Sequence, residues 1–244
     1  EVGALSTGRS QLASTGTSTA ALGFGGEAPT PTNYTETESW NGSSWSEVAD
    51  LNTARRNATG FGSQTAAVAA GGFGPPGAST YLSATETWNG SAWTTSPNSL
   101  PATNAQNRGF GTSTAGVNCG GLLSPGAVTN ATSEWDGSSW TSGGTMLTSR
   151  SLIGACGTQT AGLIAGGYTT ANSAVAEGYD GSSWSTRPSL ATARQAPGGL
   201  GTNSVSTAGL VSGGNIPPSN AATTTVEVFT GETETVTAST LTTS

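Results

Sequence analysis

The side chains able to do chemistry in this 244-residue chain are few, and neither histidine nor lysine is among them. Without imidazole, a Ser–His or Cys–His nucleophile pair and a histidine metal site are excluded. Glu27 and Glu36 are acids in long, proline-rich loops, and two carboxylates are the minimum set for hydrolysing a glycosidic bond. No alternating carboxylates of the EF-hand type occur. We therefore expect no catalytic, metal or cofactor site, with a carboxylate-only glycoside hydrolase as an alternative.

Charge and hydropathy exclude further classes of function. Seven basic and 14 acidic residues give a formal net charge of −7. A chain with so few cations has no electrostatic footprint for nucleic acid or an anionic membrane. No run approaches the roughly 18–20 apolar residues of a membrane helix, so no membrane insertion is expected. Cys119 and Cys156 are too few for a disulfide framework; two buried thiols or one bridge remain open.

The chain repeats itself. Residues 40–45 read WNGSSW, and the same pattern returns at residues 88, 135 and 179 as WNGSAW, WDGSSW and YDGSSW. A Gly–Gly pair recurs five times, at Gly25, Gly71, Gly120, Gly166 and Gly213. Five units of about 44–49 residues therefore share one template, and Phe229 stands where the fifth unit has lost its tryptophan. We expect residues 1–244 to form one domain, cut from or belonging to a longer chain.

Each unit is predicted to form four short strands. In the second unit these are Asn57–Gly62, Ala66–Ala70, Ala84–Trp88 and Ala92–Thr95. Asn-Gly or Asp-Gly between the last two strands predicts a type I′ hairpin, in which both central residues have positive φ. The aromatic residues beside the turn supply large buried areas in a chain otherwise rich in small residues. The structural anchors are then all seven tryptophans: Trp40, Trp45, Trp88, Trp93, Trp135, Trp140 and Trp184.

Four-stranded antiparallel units at this period predict an all-β, five-bladed β-propeller. We expect a closed ring, because an open ring would leave two blade faces unpaired. Gly–Gly, then Glu-x-aromatic-Asn/Asp, then Trp, resembles the kelch repeat, and the best match is Thr85–Gly90 with Trp93. The low-charge version found here resembles repeats of bacterial surface proteins and phage structural proteins. That resemblance implies an extracellular location, on a virion or a cell surface.

Arginines recur seven residues before another glycine of each unit except the third. The kelch resemblance implies a structural role for them, and anion binding is the alternative. Their predicted partners are the glutamates two residues before the hairpin aromatics. The third unit has lost both members, with Asn104 and Ser133 in their places, which fits a paired role. The arginines are Arg9, Arg55, Arg150 and Arg194, and the glutamates are Glu38, Glu86, Glu177 and Glu227.

Variable loops between the second and third strands are predicted on one face of the disc, opposite the short turns. They span residues 27–34, 73–81, 122–130, 168–173 and 215–221, and hold seven of the 11 prolines. Proline lowers the entropy lost on contact, and tyrosine supplies rigid amphipathic area. Ordinary stiff loops are the alternative interpretation. The candidate ligand-binding residues are Tyr34, Phe73, Tyr81 and Tyr168, with Arg56 and Arg108, which are extra to the template.

These observations favour a non-enzymatic recognition module that binds a glycan or a surface protein through the variable face. Further expected partners are copies of itself or other virion and surface proteins. The alternative from the structural class is a decoration or spacer domain without a ligand.

Overall fold

The computed structural model describes residues 3–29, 32–75, 79–200, 208–217, 221–230 and 237–240. In these residues the chain is all-β, with 27 strands and no helix. None of the described segments could therefore cross a membrane as an apolar helix. Five of the sheets are four-stranded and antiparallel, which is consistent with a β-propeller-like fold.

Each four-stranded sheet corresponds to one repeat unit, and its strands follow one another in chain order. We number these sheets 1 to 5. Sheet 1 contains β1 (Ala13–Gly16), β2 (Ala21–Phe24), β3 (Thr37–Trp40) and β4 (Trp45–Val48); sheet 2 contains β5 (Thr59–Gly62), β6 (Ala67–Ala70), β9 (Thr85–Trp88) and β10 (Trp93–Thr95); sheet 3 contains β12 (Arg108–Thr112), β13 (Ala115–Cys119), β16 (Thr132–Trp135) and β17 (Trp140–Ser142); sheet 4 contains β18 (Gly154–Thr158), β19 (Ala161–Ala165), β20 (Ala176–Tyr179) and β21 (Trp184–Arg187); and sheet 5 contains β22 (Gly198–Leu200), β23 (Ala208–Ser212), β26 (Thr225–Thr230) and β27 (Thr237–Thr240).

The four strands predicted for the second unit are present, but each begins later than expected. The largest shift is at Asn57, predicted to open the first strand. Its φ of 51° places it in the left-handed region, outside a strand. The equivalent residue of every other unit is also left-handed: Gln11, Gln106, Leu152 and Ala196. A repeated backbone kink therefore precedes the first strand of each sheet.

The variable loops contain more regular structure than expected. Short strands pair within three of them, or with the segment before the first strand. β7 (Phe73–Gly74) pairs with β8 (Thr80–Tyr81), and β24 (Asn215–Ile216) pairs with β25 (Ala221–Ala222). β14 (Leu122–Leu123) pairs on one edge with β11 (Asn104–Ala105) and on the other with β15 (Ala127–Val128). These backbone pairings help to fix the positions of the loops.

The hairpin turn differs from the predicted type I′. Trp40 pairs with Trp45, and of the four residues between them only Gly42 has positive φ, at 95°. A left-handed residue at the first central position alone is the type II′ pattern. Asn41 instead uses its side chain: Oδ1 accepts the backbone N–H groups of Ser43 and Ser44, both at 2.9 Å. Asn and Asp alternate at this position because both carry that acceptor.

The core lies between successive sheets and is built from the hairpin aromatics. The Phe24 and Trp93 rings meet at 4.8 Å across sheets 1 and 2, edge to face. Phe61 contacts Trp140 in the same way, with ring centroids 6.1 Å apart. Gly116 is required at its position, because a Cβ there would lie 2.2 Å from the Phe61 ring. Trp88 and Trp93 are 4% and 6% exposed, whereas Trp45 and Trp140 are partly buried.

Candidate functional site

Five pairs of positions on the loop side share one backbone geometry. In each pair, a residue before the first strand bridges the residue that follows the Gly–Gly pair. The pairs are Ser10–Glu27, Arg56–Phe73, Ala105–Leu122, Ser151–Tyr168 and Gln195–Asn215. We call these ten the bridge residues. Their backbone geometry is constant and the combination of residue types differs in every unit, although serine is the first member of two pairs, Ser10–Glu27 and Ser151–Tyr168.

Sheets 1 and 2 bring three of the candidate residues together. The Phe73 and Tyr81 rings lie 4.8 Å apart at 66°, and the Arg56 guanidinium carbon lies 4.8 Å from the Phe73 ring centroid. Arg56 Nε is 3.2 Å from a Glu27 carboxylate oxygen, and its Nη1 donates to Gln11 Oε1 at 3.0 Å. The cation is neutralised and fixed in place, so this cluster offers an aromatic and polar surface rather than a free charge.

Tyr34 and Tyr168 stand apart from that cluster. Tyr168 is 37% exposed, and its backbone is held by two hydrogen bonds with Ser151. Tyr34 is partly buried, and its N–H donates to Gly26 O at 2.9 Å. Among the described residues no ring contact links either tyrosine to Phe73 or Tyr81. The candidate aromatics therefore share one side of the repeat without forming a single pocket.

Arg108 lies in β12 and not in a loop. It is partly buried, and its Nη1 donates to Asn107 O at 3.2 Å. In the described part of the chain no carboxylate pairs with it. Burial lowers the pKa of Arg108. Of the two extra arginines it is the one whose charge has no described counter-ion.

The four template arginines form the predicted ion pairs. The distances are 3.0 Å for Arg9–Glu38, 2.7 Å for Arg55–Glu86, 2.7 Å for Arg150–Glu177 and 2.5 Å for Arg194–Glu227. All eight side chains are at most 1% exposed. In sheet 2, Arg55 also donates to Gly71 O and Ala84 O. Burial lowers the pKa of Arg55, and the Glu86 carboxylate opposes that shift.

A third member of this network was not anticipated. The second carboxylate oxygen of Glu86 accepts the N–H of Asn52, from the segment that enters the unit, at 2.7 Å. Leu147 and Ala191 donate their N–H groups to Glu177 and Glu227 in the same way. The third unit has Pro101 at this position, and proline has no N–H to satisfy. That unit has therefore lost the cation, the anion and the donor together.

A partly open cavity of about 100 Å³ occupies the place of the missing pair in sheet 3. Its lining includes Leu100, Pro101, Asn104, Asn118, Thr132 and Ser133. Asn104 Nδ2 donates to Gly120 O at 2.8 Å, while its buried Oδ1 has no protein partner. The cavity has both apolar and polar lining residues, and its volume is enough for a few water molecules.

The remaining reactive groups give little chemistry. Glu27 is paired with Arg56, and no described contact joins Glu27 to Glu36. The described residues hold no group of three metal-ligating side chains. Cys119 and Cys156 are free and buried, so the two-thiol alternative is confirmed. Burial raises the pKa of Cys119 to about 12 and that of Cys156 to about 11.

Comparison with known proteins identifies the fold and no more. No protein-family model matches the chain, and no curated protein matches it either. Among solved structures it is similar to "Structure of YjhT", with a TM-score of 0.78 and 14% sequence identity. The match covers 95% of this chain and 84% of that chain.

Proposed function

We propose that each sheet is one blade of a kelch-like β-propeller to which this chain contributes five blades, and that the chain is a non-enzymatic recognition module. It binds a glycan or a surface protein through the side that carries the bridge residues. The observation that supports this most directly is the constant backbone and changing side chains of the five bridges. The Arg–Glu pairs repeat the same two residue types in four units, whereas no two bridges have the same pair of residue types.

The chemistry of that side favours a neutral, polar ligand with apolar patches. Tyr168 is exposed, and the Phe73–Tyr81 pair lies beside a neutralised arginine. Aromatic rings stack on the C–H faces of sugars, and Ser, Asn and Gln side chains meet their hydroxyl groups. The opposite side offers repeated hairpin turns, whose Asn41 or Asp136 oxygens are already occupied by backbone N–H groups.

Display in many copies completes the proposal. A contact made by a few aromatic side chains is weak, and several linked contacts bind far more tightly than one. A virion or cell surface supplies such copies, and the resemblance of the repeats to bacterial surface and phage structural proteins motivates that location.

The test is to screen the chain, displayed as an oligomer, against a glycan array and intact cells. Tyr168→Ala should abolish or weaken binding at least tenfold, with Tyr34→Ala and Tyr81→Ala as companions. Tyr81→Phe separates the hydroxyl from the packing against Phe73. Ser43→Ala on the turn side is the matched control and should bind like the parent. Melting curves of every variant separate lost recognition from lost folding.

Two outcomes would reject the proposal. If the folded oligomer binds neither glycan nor cell, the spacer interpretation replaces it. If Ser43→Ala abolishes binding while the tyrosine variants bind normally, the binding side is the wrong one.

A further inference from the structure

A continuous series of backbone hydrogen bonds joins the five units. Each left-handed residue before a first strand donates its N–H to the equivalent carbonyl of the preceding unit. Asn57 donates to Gln11, Gln106 to Asn57, Leu152 to Gln106 and Ala196 to Leu152, at 2.7–3.1 Å. The described residues show no fifth bond from Gln11 to Ala196, and both end residues are exposed. The series therefore has two free ends, the Gln11 N–H and the Ala196 carbonyl.

The second hairpin tryptophans form a parallel series. Each donates its indole N–H to a threonine hydroxyl on the third strand of the preceding sheet. The bonds are Trp93 to Thr37 at 3.0 Å, Trp140 to Thr85 at 2.9 Å and Trp184 to Thr132 at 3.0 Å. Trp45 is the equivalent residue of sheet 1, and its indole N–H has no acceptor within the described part of the chain. Among the described residues, Trp45 thus lacks the threonine acceptor that the other three tryptophans have.

Sheet 5 has no hydroxyl at the position that would accept the Trp45 indole N–H. Thr37 directly precedes Glu38, the glutamate of the ion pair in sheet 1. In sheet 5 the residue that directly precedes the equivalent Glu227 is Val226, which has no hydroxyl. An indole N–H buried against valine would stay unsatisfied. The same position in sheet 4 is Ala176, and the fifth unit has no second tryptophan to meet it. Threonine thus occurs at this position in sheets 1 to 3, each of which is followed in the chain by a unit with a second hairpin tryptophan. It is absent from sheets 4 and 5, which no such unit follows in this sequence.

We propose that the flank of sheet 1 around Trp45 binds one further four-stranded unit of this repeat, placed between sheet 5 and sheet 1. Its third strand carries a threonine or serine that accepts the Trp45 N–H. Its left-handed residue accepts the Gln11 N–H and donates to the Ala196 carbonyl. This arrangement replaces the expected ring in which five sheets close on themselves.

A second copy of the chain is a poorer occupant of this flank. The threonines of its sheets 1 to 3 are already bonded within the copy, and its sheet 5 presents Val226. A unit with a free threonine satisfies all three groups at once.

The first experiment measures the distance between Gln11 and Ala196, the two ends of the backbone hydrogen-bond series. Spin labels are attached at Gln11→Cys and Ala196→Cys, with Cys119→Ala and Cys156→Ala removing the native thiols. Gln106→Cys with Leu152→Cys is the reference pair, because these residues are hydrogen-bonded neighbours in the series. Pulsed electron paramagnetic resonance should give a clearly longer distance for the first pair. Equal distances would show a closed five-sheet ring and overturn the proposal.

The second experiment adds the proposed unit to the chain. A copy of residues 50–94 placed before Glu1 keeps the repeat register, because Thr95 and Glu1 occupy equivalent positions. Hydrogen exchange of the Gln11 amide should slow at least tenfold, and a copy carrying Thr85→Val should protect it less. Unchanged exchange with the parent copy would overturn the proposal. Equal protection by both copies would remove the Trp45 contact on which it depends.

Discussion

The Arg55 guanidinium donates to Glu86 across 2.7 Å, with both side chains at most 1% exposed. The same guanidinium binds two backbone carbonyls, and the same carboxylate accepts the Asn52 N–H. One ion pair therefore joins the entering segment, the end of the second strand and the third strand of its unit. Removing one member leaves a buried charge without its counter-charge, which typically costs about 3–5 kcal/mol.

We predict that Arg55→Ala lowers the free energy of unfolding by about 3–5 kcal/mol in urea titrations. Arg56→Ala is the control, because the Arg56–Glu27 pair is partly exposed and such pairs contribute about 1 kcal/mol or less. The double variant Arg55→Asn with Glu86→Ser reproduces two of the three changes found in the third unit and should cost less than the sum of its single changes. Additive losses would mean that the two residues do not act as a pair.

Trp88→Ala should lower the free energy of unfolding by about 3–5 kcal/mol, because it empties a large buried site. Trp88 is 4% exposed, and its indole N–H donates to Gln64 O at 2.9 Å. Ser91→Ala in the adjacent turn should change stability by about 0.5 kcal/mol or less, because Ser91 is exposed and its backbone N–H bond to Asn89 remains. Equal melting temperatures for Trp88→Ala and the parent would contradict the anchor role.

The repeat made much of this architecture predictable. The Gly–Gly pairs and the hairpin aromatics predicted the strand order. The third unit has Asn104 in place of the arginine and Ser133 in place of the glutamate, and this joint replacement indicated that the two residues pair in the other units. These inferences succeed because the five units use the same local interactions, so residues that are kept or replaced together can be compared between units. Comparison of units within one chain thereby replaces part of the information that a set of related sequences would carry.

Other features depend on side-chain geometry that the repeat does not encode. The turn type was wrong because Asn41 acts through its side-chain oxygen rather than through a positive φ. The significance of Pro101 emerges only when the N–H of Asn52 is seen to bind Glu86. The tyrosines of the loops were grouped by sequence position, but among the described residues no ring contact joins Tyr34, Tyr81 and Tyr168, because they lie in the loops of three different units.

Two hairpins should make stability sensitive to acid. Four hydrogen bonds from Ser138 and Ser139 lower the pKa of Asp136, the backbone bond from Ser139 most of all, and Asp180 is held likewise by Ser182 and Ser183. A carboxylate with a depressed pKa stabilises the fold above its unfolded pKa of about 3.9, and that contribution is lost as pH falls toward the folded value. Melting temperatures of the parent should therefore fall more steeply below pH 4 than those of Asp136→Asn with Asp180→Asn.

The natural hairpins supply the control for this comparison. Asn41 and Asn89 hold their turns with a neutral oxygen in the same geometry, so the substituted hairpins should remain folded at neutral pH. Parallel pH profiles for the parent and the double variant would show that the two carboxylates contribute no pH-dependent stability.

The two thiols should report opening of the inter-sheet core. Cys119 and Cys156 are buried in sheets 3 and 4, and burial raises their pKa values to about 12 and about 11. The thiolate is the reactive form, so both thiols should be inert toward an aromatic disulfide reagent at pH 8 in the native chain. In 6–8 M urea both thiols should react at once, which gives the total number of reactive thiols.

The order of labelling reports which sheet opens first. Cys156 packs with Val211 and Phe229 of sheet 5, whereas Cys119 packs with Ile153 and Ile164 of sheet 4. A label found first on Cys156 would therefore place the earlier opening at sheet 5. Cys156→Ala and Cys119→Ala variants assign each phase, and rapid labelling of both thiols in the native chain would contradict their burial.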